Sequence, residues 1–305
     1  MKWTICGKPD YSLIGTLLVS GIFFNYYPYK VKTLLISGDL PVTKRFNFLV
    51  GTSETTRPLS SKPFFTLKEK SWNEWLAGLI DGDGCLLVSK TGYTSCEITM
   101  GLQDEHALAI IKQRLGGSIK LRSGVKALRY RLHNKNGMIE LINRVNGNIR
   151  HTSRIKQLES ICLTLGIKIK YPETITIENG WFSGFFDADG TITYSSMKNS
   201  YPRLTISVTN KLQVDVISFK HIFGGNVYFD KSQNGYYKWS IQARTDLYFF
   251  KAYLLKYPSL SNKKQRLFLT NKYYELIDLK AYSALPNSPL NKAWLIFSNK
   301  WNNRG

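Results

Sequence analysis

Aspartates at matched spacing are the residues in this sequence whose pattern points to chemistry. Asp81 and Asp83 close the run Trp75-Leu76-Ala77-Gly78-Leu79-Ile80-Asp81-Gly82-Asp83-Gly84, and Asp187 and Asp189 close Trp181-Phe182-Ser183-Gly184-Phe185-Phe186-Asp187-Ala188-Asp189-Gly190. Carboxylates that a fold forces together repel unless cations lie between them, so a duplicated acidic motif points to a divalent-metal site. One Asp-x-Asp-Gly run alone is explained as well by a turn, because Asp and Gly favour helix-to-strand turns for local reasons. Two copies with the same Trp, Gly and Asp positions are not. A calcium loop is excluded: counted from Asp81 and Asp187, the sixth positions hold Leu86 and Ile192 and the twelfth hold Gly92 and Lys198, where an EF-hand needs Gly and Glu.

The elements that must position these acids are two short apolar helices. Ser71 followed by Glu74 has the form of a capping box, which starts the first helix at Ser71, and Asn179 or Glu178 can cap the second. Each helix stops at the glycine after its last Asp. Gly78 with Gly82, and Gly184 with Ala188, lie four apart and therefore on one helix face. Glycine inside a helix costs about 1 kcal/mol relative to alanine, so this spacing predicts close packing of the two helices on each other. Crossing near a pseudo-two-fold axis, they would bring Asp83 and Asp189 side by side. Asp81 and Asp187 point elsewhere on the helix ends and are expected to cap and to hydrogen-bond across the interface.

Both stretches resemble the LAGLIDADG motif of homing endonucleases and intron maturases. Leu76 to Gly84 departs from it only at Gly82, and Phe182 to Gly190 keeps the Gly, both Asp and the final Gly. The resemblance covers residues 71–305. After each motif the hydrophobic period changes to two, through Leu86, Val88, Ile98, Met100 and Leu102 in the first copy. A helix over Asp104–Leu115 precedes Gly116-Gly117, a hairpin through Ile119, Leu121, Leu128, Tyr130 and Leu132 comes next, and helices over 136–145 and 152–165 close the copy. The second copy repeats the order, with strands over 191–196 and 203–208, a helix over Lys211–Phe223, Gly224-Gly225, a hairpin through Val227 to Ile241, and helices over 245–255 and 263–279. The pattern reads as a duplicated αββαββα unit. The resemblance implies the same α+β fold, a pseudo-two-fold tandem repeat whose strands make a saddle-shaped antiparallel sheet with helices on its back. The expected organisation is an N-terminal extension over 1–70, a first repeat over 71–170, and a linker with the second repeat over 171–305. Within the extension, the apolar run Leu13–Phe24 is too short for a membrane span, and Thr52–Pro63 reads as a linker.

Forty-two Lys and Arg against 21 Asp and Glu give a formal charge of +21, which makes nucleic acid the first partner to consider. The basic residues are spread through strands and turns and form no amphipathic helix beside a long apolar run, so a membrane partner is not expected. Cys6, Cys85, Cys96 and Cys162 show no CxxC spacing, and the four histidines no HxxxH pair, so a zinc site is not expected and the thiols read as reduced.

An antiparallel ribbon with one apolar face leaves the other free to enter a DNA major groove. The long polar residues expected on that face are Lys90, Glu97, Thr99, Lys120, Arg122, Lys126, Arg129 and Arg131 in the first copy, and Lys198, Arg203, Thr205, Ser207, Lys231, Gln233 and Lys238 in the second. The expected function is that of a monomeric, site-specific endonuclease hydrolysing double-stranded DNA with Mg²⁺ held by Asp83 and Asp189. The family resemblance implies in addition a polar residue after the second strand of each copy, Gln103 and Asn210, and a lysine near the start of the last helix. By position the lysines are Lys156 and Lys264, with Arg154 and Lys263 as near alternatives. The other reading is an RNA maturase acting on its own intron. Proteins of this resemblance are commonly encoded inside organellar introns, and the chain shows no Arg-rich, acid-poor transit segment, so the expected compartment is the mitochondrion, with the chloroplast as alternative.

Overall fold

The computed structural model describes residues 67–195, 201–232 and 235–303, all within one compact unit, Ser60–Gly305. Lys198, Gln233 and the features read in the extension lie outside the described residues. The first copy runs α1 (Leu67–Asp83), β1 (Gly84–Val88), β2 (Thr94–Gly101), α2 (Glu105–Leu115), β3 (Ser118–Leu121), β4 (Ala127–Leu132), α3 (Lys135–Val145) and α4 (Thr152–Leu165). The second runs α5 (Trp181–Asp189), β5 (Gly190–Tyr194), β6 (Leu204–Asn210), α6 (Ile217–Phe223), β7 (Asn226–Asp230), β8 (Tyr236–Ile241), α7 (Arg244–Lys256) and α8 (Lys263–Asp278), and α9 (Pro289–Asn302) follows. Each copy forms its own four-stranded antiparallel sheet, ordered β1-β2-β4-β3 and β5-β6-β8-β7.

Alternation decides which sheet face is covered. In β2, Cys96, Ile98 and Met100 are buried while Glu97 and Thr99 between them face outward. Leu102 and Leu121, expected on the covered side, are exposed, because Leu102 has left the strand for a 3-10 turn and Leu121 ends the edge strand β3.

Between the sheets lie α1 and α5, packed backbone to backbone. A Cβ built on Gly78 would fall on the carbonyl of Trp181 and 2.7 Å from the Phe185 nitrogen, and one on Gly184 would fall on the carbonyl of Trp75 and 2.8 Å from the Leu79 nitrogen. The interface is sealed by a reciprocal exchange: Trp75 Nε1 donates to Asp187 Oδ2 at 2.9 Å, and Trp181 Nε1 to Asp81 Oδ2 at 2.6 Å. The same carboxylates accept backbone N–H groups just before the last helix of their own copy, Arg150 on Asp81 at 2.7 Å and Leu260 on Asp187 at 2.8 Å. Asp187 also accepts the hydroxyls of Ser259 and Ser261. The expected capping and interface roles of Asp81 and Asp187 are therefore met by one set of bonds.

Several local expectations change. Helix α1 begins at Leu67, so Ser71 lies inside it, and the Ser71 hydroxyl donates back to the Leu67 carbonyl at 3.0 Å. Glu74 is buried and accepts the Gly180 N–H at 2.8 Å, serving the start of the other helix instead of its own. Asn179 Oδ1 does accept the Trp181 N–H, at 2.8 Å. Gly84 and Gly190 are not left-handed caps. Gly190 is extended at φ −78°, and a Cβ on Gly84 would lie 2.6 Å from the Ile80 Cα, so glycine is needed because the departing strand folds tightly over the last helical turn. The helix expected over Lys211–Phe223 is a 3-10 turn, Gln213–Asp215, and then the short α6, since Asp215 is drawn into bonds with α4. Helix α9 was not anticipated, although Ser288-Pro289 is a strong start signal and Ser288 Oγ accepts the Asn291 N–H at 3.2 Å. Its Trp294, Phe297 and Trp301 bury against Tyr194 and Tyr273. No helix among the described residues is long and apolar enough to cross a membrane.

The backbone contact is testable. Gly184→Ala should destabilise the protein by about 3 kcal/mol or more, since the neighbour is main chain and cannot rotate away. Gly166→Ala, at a helix end with open space around it, should cost no more than about 1–2 kcal/mol. Chemical denaturation of both variants checks this, and equal losses would contradict the close-packing account.

Candidate active site and sheet face

The shared C-terminal end of α1 and α5 brings Asp83 and Asp189 together. Gly82 makes this approach possible, because a Cβ there would overlap that of Ala188 and lie 3.3 Å from Asp189 Oδ2. Both carboxylates sit where helix dipoles present partial negative charge, which disfavours ionisation. Burial, and then the charge of Asp189, push the Asp83 carboxyl up to about 7. Burial raises Asp189 as well, against the opposing pull of Lys263 and His151. Two carboxylates held in this way repel each other, and a cation between them would offset that repulsion. Among the described residues no cluster of three or more His, Cys, Asp or Glu could hold a metal by itself. A donor set of two oxygens fits an ion that keeps most of its waters and binds substrate phosphate, as Mg²⁺ does.

Two cations compensate the helix ends, one for each copy. Arg154 donates to the carbonyls of Ile80 at 3.2 Å and Gly82 at 3.4 Å, at the end of α1. Lys263 Nζ donates to the carbonyls of Phe186 at 3.1 Å and Ala188 at 2.7 Å, and to that of Asp187, at the end of α5. Lys263 is itself held low by burial, with Asp187 and Asp83 the strongest opposing charges. The expectation for Lys156 and Lys264 is therefore corrected, since Arg154 and Lys263 are the basic side chains that reach the acidic pair. Lys156 is exposed on α4 and Lys264 half-exposed on α8. A signal was present in the sequence: Arg154 lies four residues before buried Leu158, and Lys263 four before buried Leu267, on the apolar face of each helix. A cation on that face in a first turn must meet something buried.

Gln103 and Asn210 occupy matching places and each crosses to the other copy. Gln103 Oε1 accepts from Asn262 Nδ2 at 2.9 Å, and Asn210 Oδ1 lies 3.1 Å from His151 Nε2 while its Nδ2 is 3.4 Å from Asp189 Oδ2. Beside them two acids missed by the sequence reading cap the opposite copy. Asp104 accepts the Asn262 N–H at 2.6 Å, at the start of α8, and Asp215 accepts the Thr152 N–H at 3.0 Å, at the start of α4. Asp215 also lies 3.3 Å from His151 Nε2. Contacts between residues this far apart leave no periodic trace.

The outward sheet faces differ between copies. In the first, Thr99, Arg129 and Lys120 form one cross-strand row, and Glu97, Arg131 and Ser118 the next. Lys90, Arg122 and Lys126 are exposed in the adjoining turns. In the second, the corresponding rows are Thr209, Lys238 and Tyr228, and Ser207, Ser240 and Asn226. Arg203 and Lys231 are exposed beyond the strand ends. Thr205 faces outward and accepts from Gln242 Nε2 at 3.2 Å. Ser207, expected as a reader, is only 2% exposed and is hydrogen-bonded to Thr191 Oγ1 at 2.8 Å, so it supports Thr191 and does not project from the face. In these cross-strand rows the basic side chains are thus concentrated on the first sheet, while hydroxyls, an amide and a tyrosine dominate the second.

Comparison with known proteins agrees with this geometry. A family model described as LAGLIDADG endonuclease matches residues 76–165 and 182–274. An intron-encoded RNA maturase of Saccharomyces cerevisiae is 50% identical over 281 residues, covering 84% of this chain and 44% of the relative. A probable intron-encoded endonuclease of Debaryomyces hansenii is 47% identical over 298 residues, covering 86% and 45%. The chain spans less than half the length of these two relatives. An intron-encoded DNA endonuclease of Dictyostelium discoideum is 35% identical over 243 residues, covering 77% of this chain and 76% of the relative. Among solved structures, a LAGLIDADG meganuclease bound to uncleaved DNA superposes with a TM-score of 0.54 at 17% identity, covering 76% of this chain and 99% of that one. At that identity the likeness shows the fold.

The acidic pair makes a pH prediction. A carboxyl raised in the folded state binds more protons there than in the unfolded chain, so without metal the folded state loses stability as pH rises from about 4 to about 7. Asp83→Asn removes this loss and should stabilise the metal-free protein at pH 8 by on the order of 1–2 kcal/mol, after discounting for the solvent that reaches the site. The gain should vanish near pH 4, as thermal melts in chelator at both pH values would record.

Proposed function

Because the chain belongs to the LAGLIDADG endonuclease family and brings the last acid of both motifs together at one helix end, we propose that it is a site-specific endonuclease of double-stranded DNA whose cut initiates intron mobility. The observation that carries this reading is the pair Asp83 and Asp189, kept intact and close despite their mutual repulsion. A protein that only bound nucleic acid would relieve that cost with Asn or Ser at either position. Asp83 and Asp189 would hold Mg²⁺, which supplies charge neutralisation at the scissile phosphate and a more acidic water. Gln103 and Asn210 are amides, unable to take a proton, so we assign them the orientation of water beside the acids. Arg154 and Lys263 hold positive charge where negative charge develops on the phosphate. The sheet faces occupy the major groove, with Lys90, Lys120, Arg122 and Lys126 on phosphates or base edges of the first half-site and Arg203, Thr205, Lys231 and Lys238 serving the second. Lys198 and Gln233 complete that assignment from the sequence reading. The chain acts as a monomer whose two copies replace a dimer. Relatives named as intron-encoded support an organellar origin, and since two of them come from yeasts, which lack plastids, the mitochondrion is the compartment assigned.

The maturase is a second reading, favoured by the 50% identity to an RNA maturase. The two separate on the shape of the partner, because side chains on a β-ribbon reach into the major groove of B-form DNA but not into the deep, narrow major groove of A-form RNA.

Asp83→Asn and Asp189→Asn should each abolish double-strand cleavage of a duplex spanning an intronless insertion site while leaving binding to that duplex unchanged, by gel assays with Mg²⁺ and with Ca²⁺. Retained cleavage in either variant removes these acids from the mechanism. Replacing Arg129, Arg131 and Lys238 together by alanine should lose specific DNA binding and flatten the salt dependence of what remains. If that variant instead cuts DNA normally and loses only intron RNA, the maturase becomes the better reading.

A further inference from the structure

An acid stands in the middle of the basic face. Glu97 on β2 lies directly opposite Arg131 on β4, and its two carboxylate oxygens are divided between two arginines, Oε1 lying 3.1 Å from Arg131 Nε and Oε2 3.6 Å from Arg129 Nη1. The Glu97 side chain is 21% exposed, against 40% for Arg129 and 56% for Arg131, so the acid lies lower than the guanidinium groups flanking it. On a surface built to meet a polyanion, a carboxylate costs phosphate affinity. An exposed ion pair of this kind contributes only about 0–1 kcal/mol to stability, which does not explain its position.

The atoms engaged explain it better. Arg131 is paired through Nε, the inner nitrogen of its fork, which leaves the outer end, its two terminal nitrogens, without a partner among the described residues. That is the end of a guanidinium that pairs with N7 and O6 of guanine in two parallel hydrogen bonds. An arginine held this way has already lost the side-chain freedom that it would otherwise lose on binding. The second copy serves as an internal control. By strand register, Glu97, Arg131 and Arg129 correspond to Ser207, Ser240 and Lys238, which form no such arrangement.

We propose that Arg131 reads a guanine in the half-site beneath the first sheet, and that Glu97 is the positioning residue that orients its guanidinium for that contact. The proposal rests on the duplex-binding reading above. Glu97 also lowers the net charge of the group from two to one, so the arginines are less drawn to phosphates at arbitrary sequence, and selectivity rises at the expense of general affinity. The second sheet, lacking the arrangement, contributes no equivalent strict guanine.

The test is selection of duplexes from a random-sequence pool by the full chain in Ca²⁺, followed by competition binding at each position. Wild type should show one position in one half-site with a strong guanine preference. Glu97→Gln should reduce that preference at least tenfold at that position alone, with affinity for unselected DNA equal or higher. Arg131→Ala should lose the same preference, Arg131→Lys should lose it while keeping affinity for unselected DNA, and the Glu97→Gln, Arg131→Ala double variant should lose no more than either. A base profile unchanged in Glu97→Gln overturns the positioning role, as does a loss spread evenly over all positions with a lowered melting temperature. If wild type selects no duplex sequence, the endonuclease reading itself fails, a result distinct from selective binding that is indifferent to Glu97.

Discussion

Two helices that touch through their backbones set the rest of this structure. Gly78 against Trp181 and Gly184 against Trp75 leave no room for a Cβ, so the separation of α1 and α5 is fixed by main-chain atoms, which cannot adjust as side chains can. That separation determines where Asp83 and Asp189 emerge. A site made of two acids, one from each helix, needs a fixed distance between them, and a backbone contact about one and a half turns away supplies it. The indole-to-carboxylate exchange adds direction, since each Trp N–H finds its acceptor only when the helices are in register.

Such packing accumulates negative charge, and the surroundings answer it. Arg154 and Lys263 bind the carbonyls that the helix ends expose, and Asp81 and Asp187 are stabilised by backbone and side-chain donors from the approach to α4 and α8. Asp104 and Asp215 then cap the last helix of the opposite copy. The copies complete each other at every level near the site. One copy alone would expose the small-residue face and leave the first turn of its last helix without its acceptor.

Symmetry in the scaffold does not extend to the outward sheet faces. Strand orders and registers repeat, but the row that holds Glu97, Arg131 and Ser118 in one copy holds Ser207, Ser240 and Asn226 in the other. Packed residues answer to a shared geometry, so both copies retain it. Outward residues are not bound by that shared packing, so the two copies are free to differ there.

The amino-acid sequence by itself determined most of the elements, though not α9 or the shortening of α6, and it determined the paired acids. Apolar periods, the four-residue spacing of Gly78 with Gly82 and of Gly184 with Ala188, and the paired Asp positions are properties of neighbouring residues, readable without the fold. α4 appears over the residues expected, and so do the strand faces of β2 and β4. What only the tertiary structure decided is how those elements are turned against one another. Lys156 and Arg154 point about 160° apart around α4, and Lys263 and Lys264 about 100° apart around α8, so a choice between neighbours depends on helix rotation, which distant packing sets. Glu74 capping the other helix, Asp215 shortening α6 to serve α4, and Ser207 turned to hold Thr191 are likewise bonds between parts of the chain that only folding brings together. Such contacts obey complementarity of shape and charge across space, which leaves no period along the sequence.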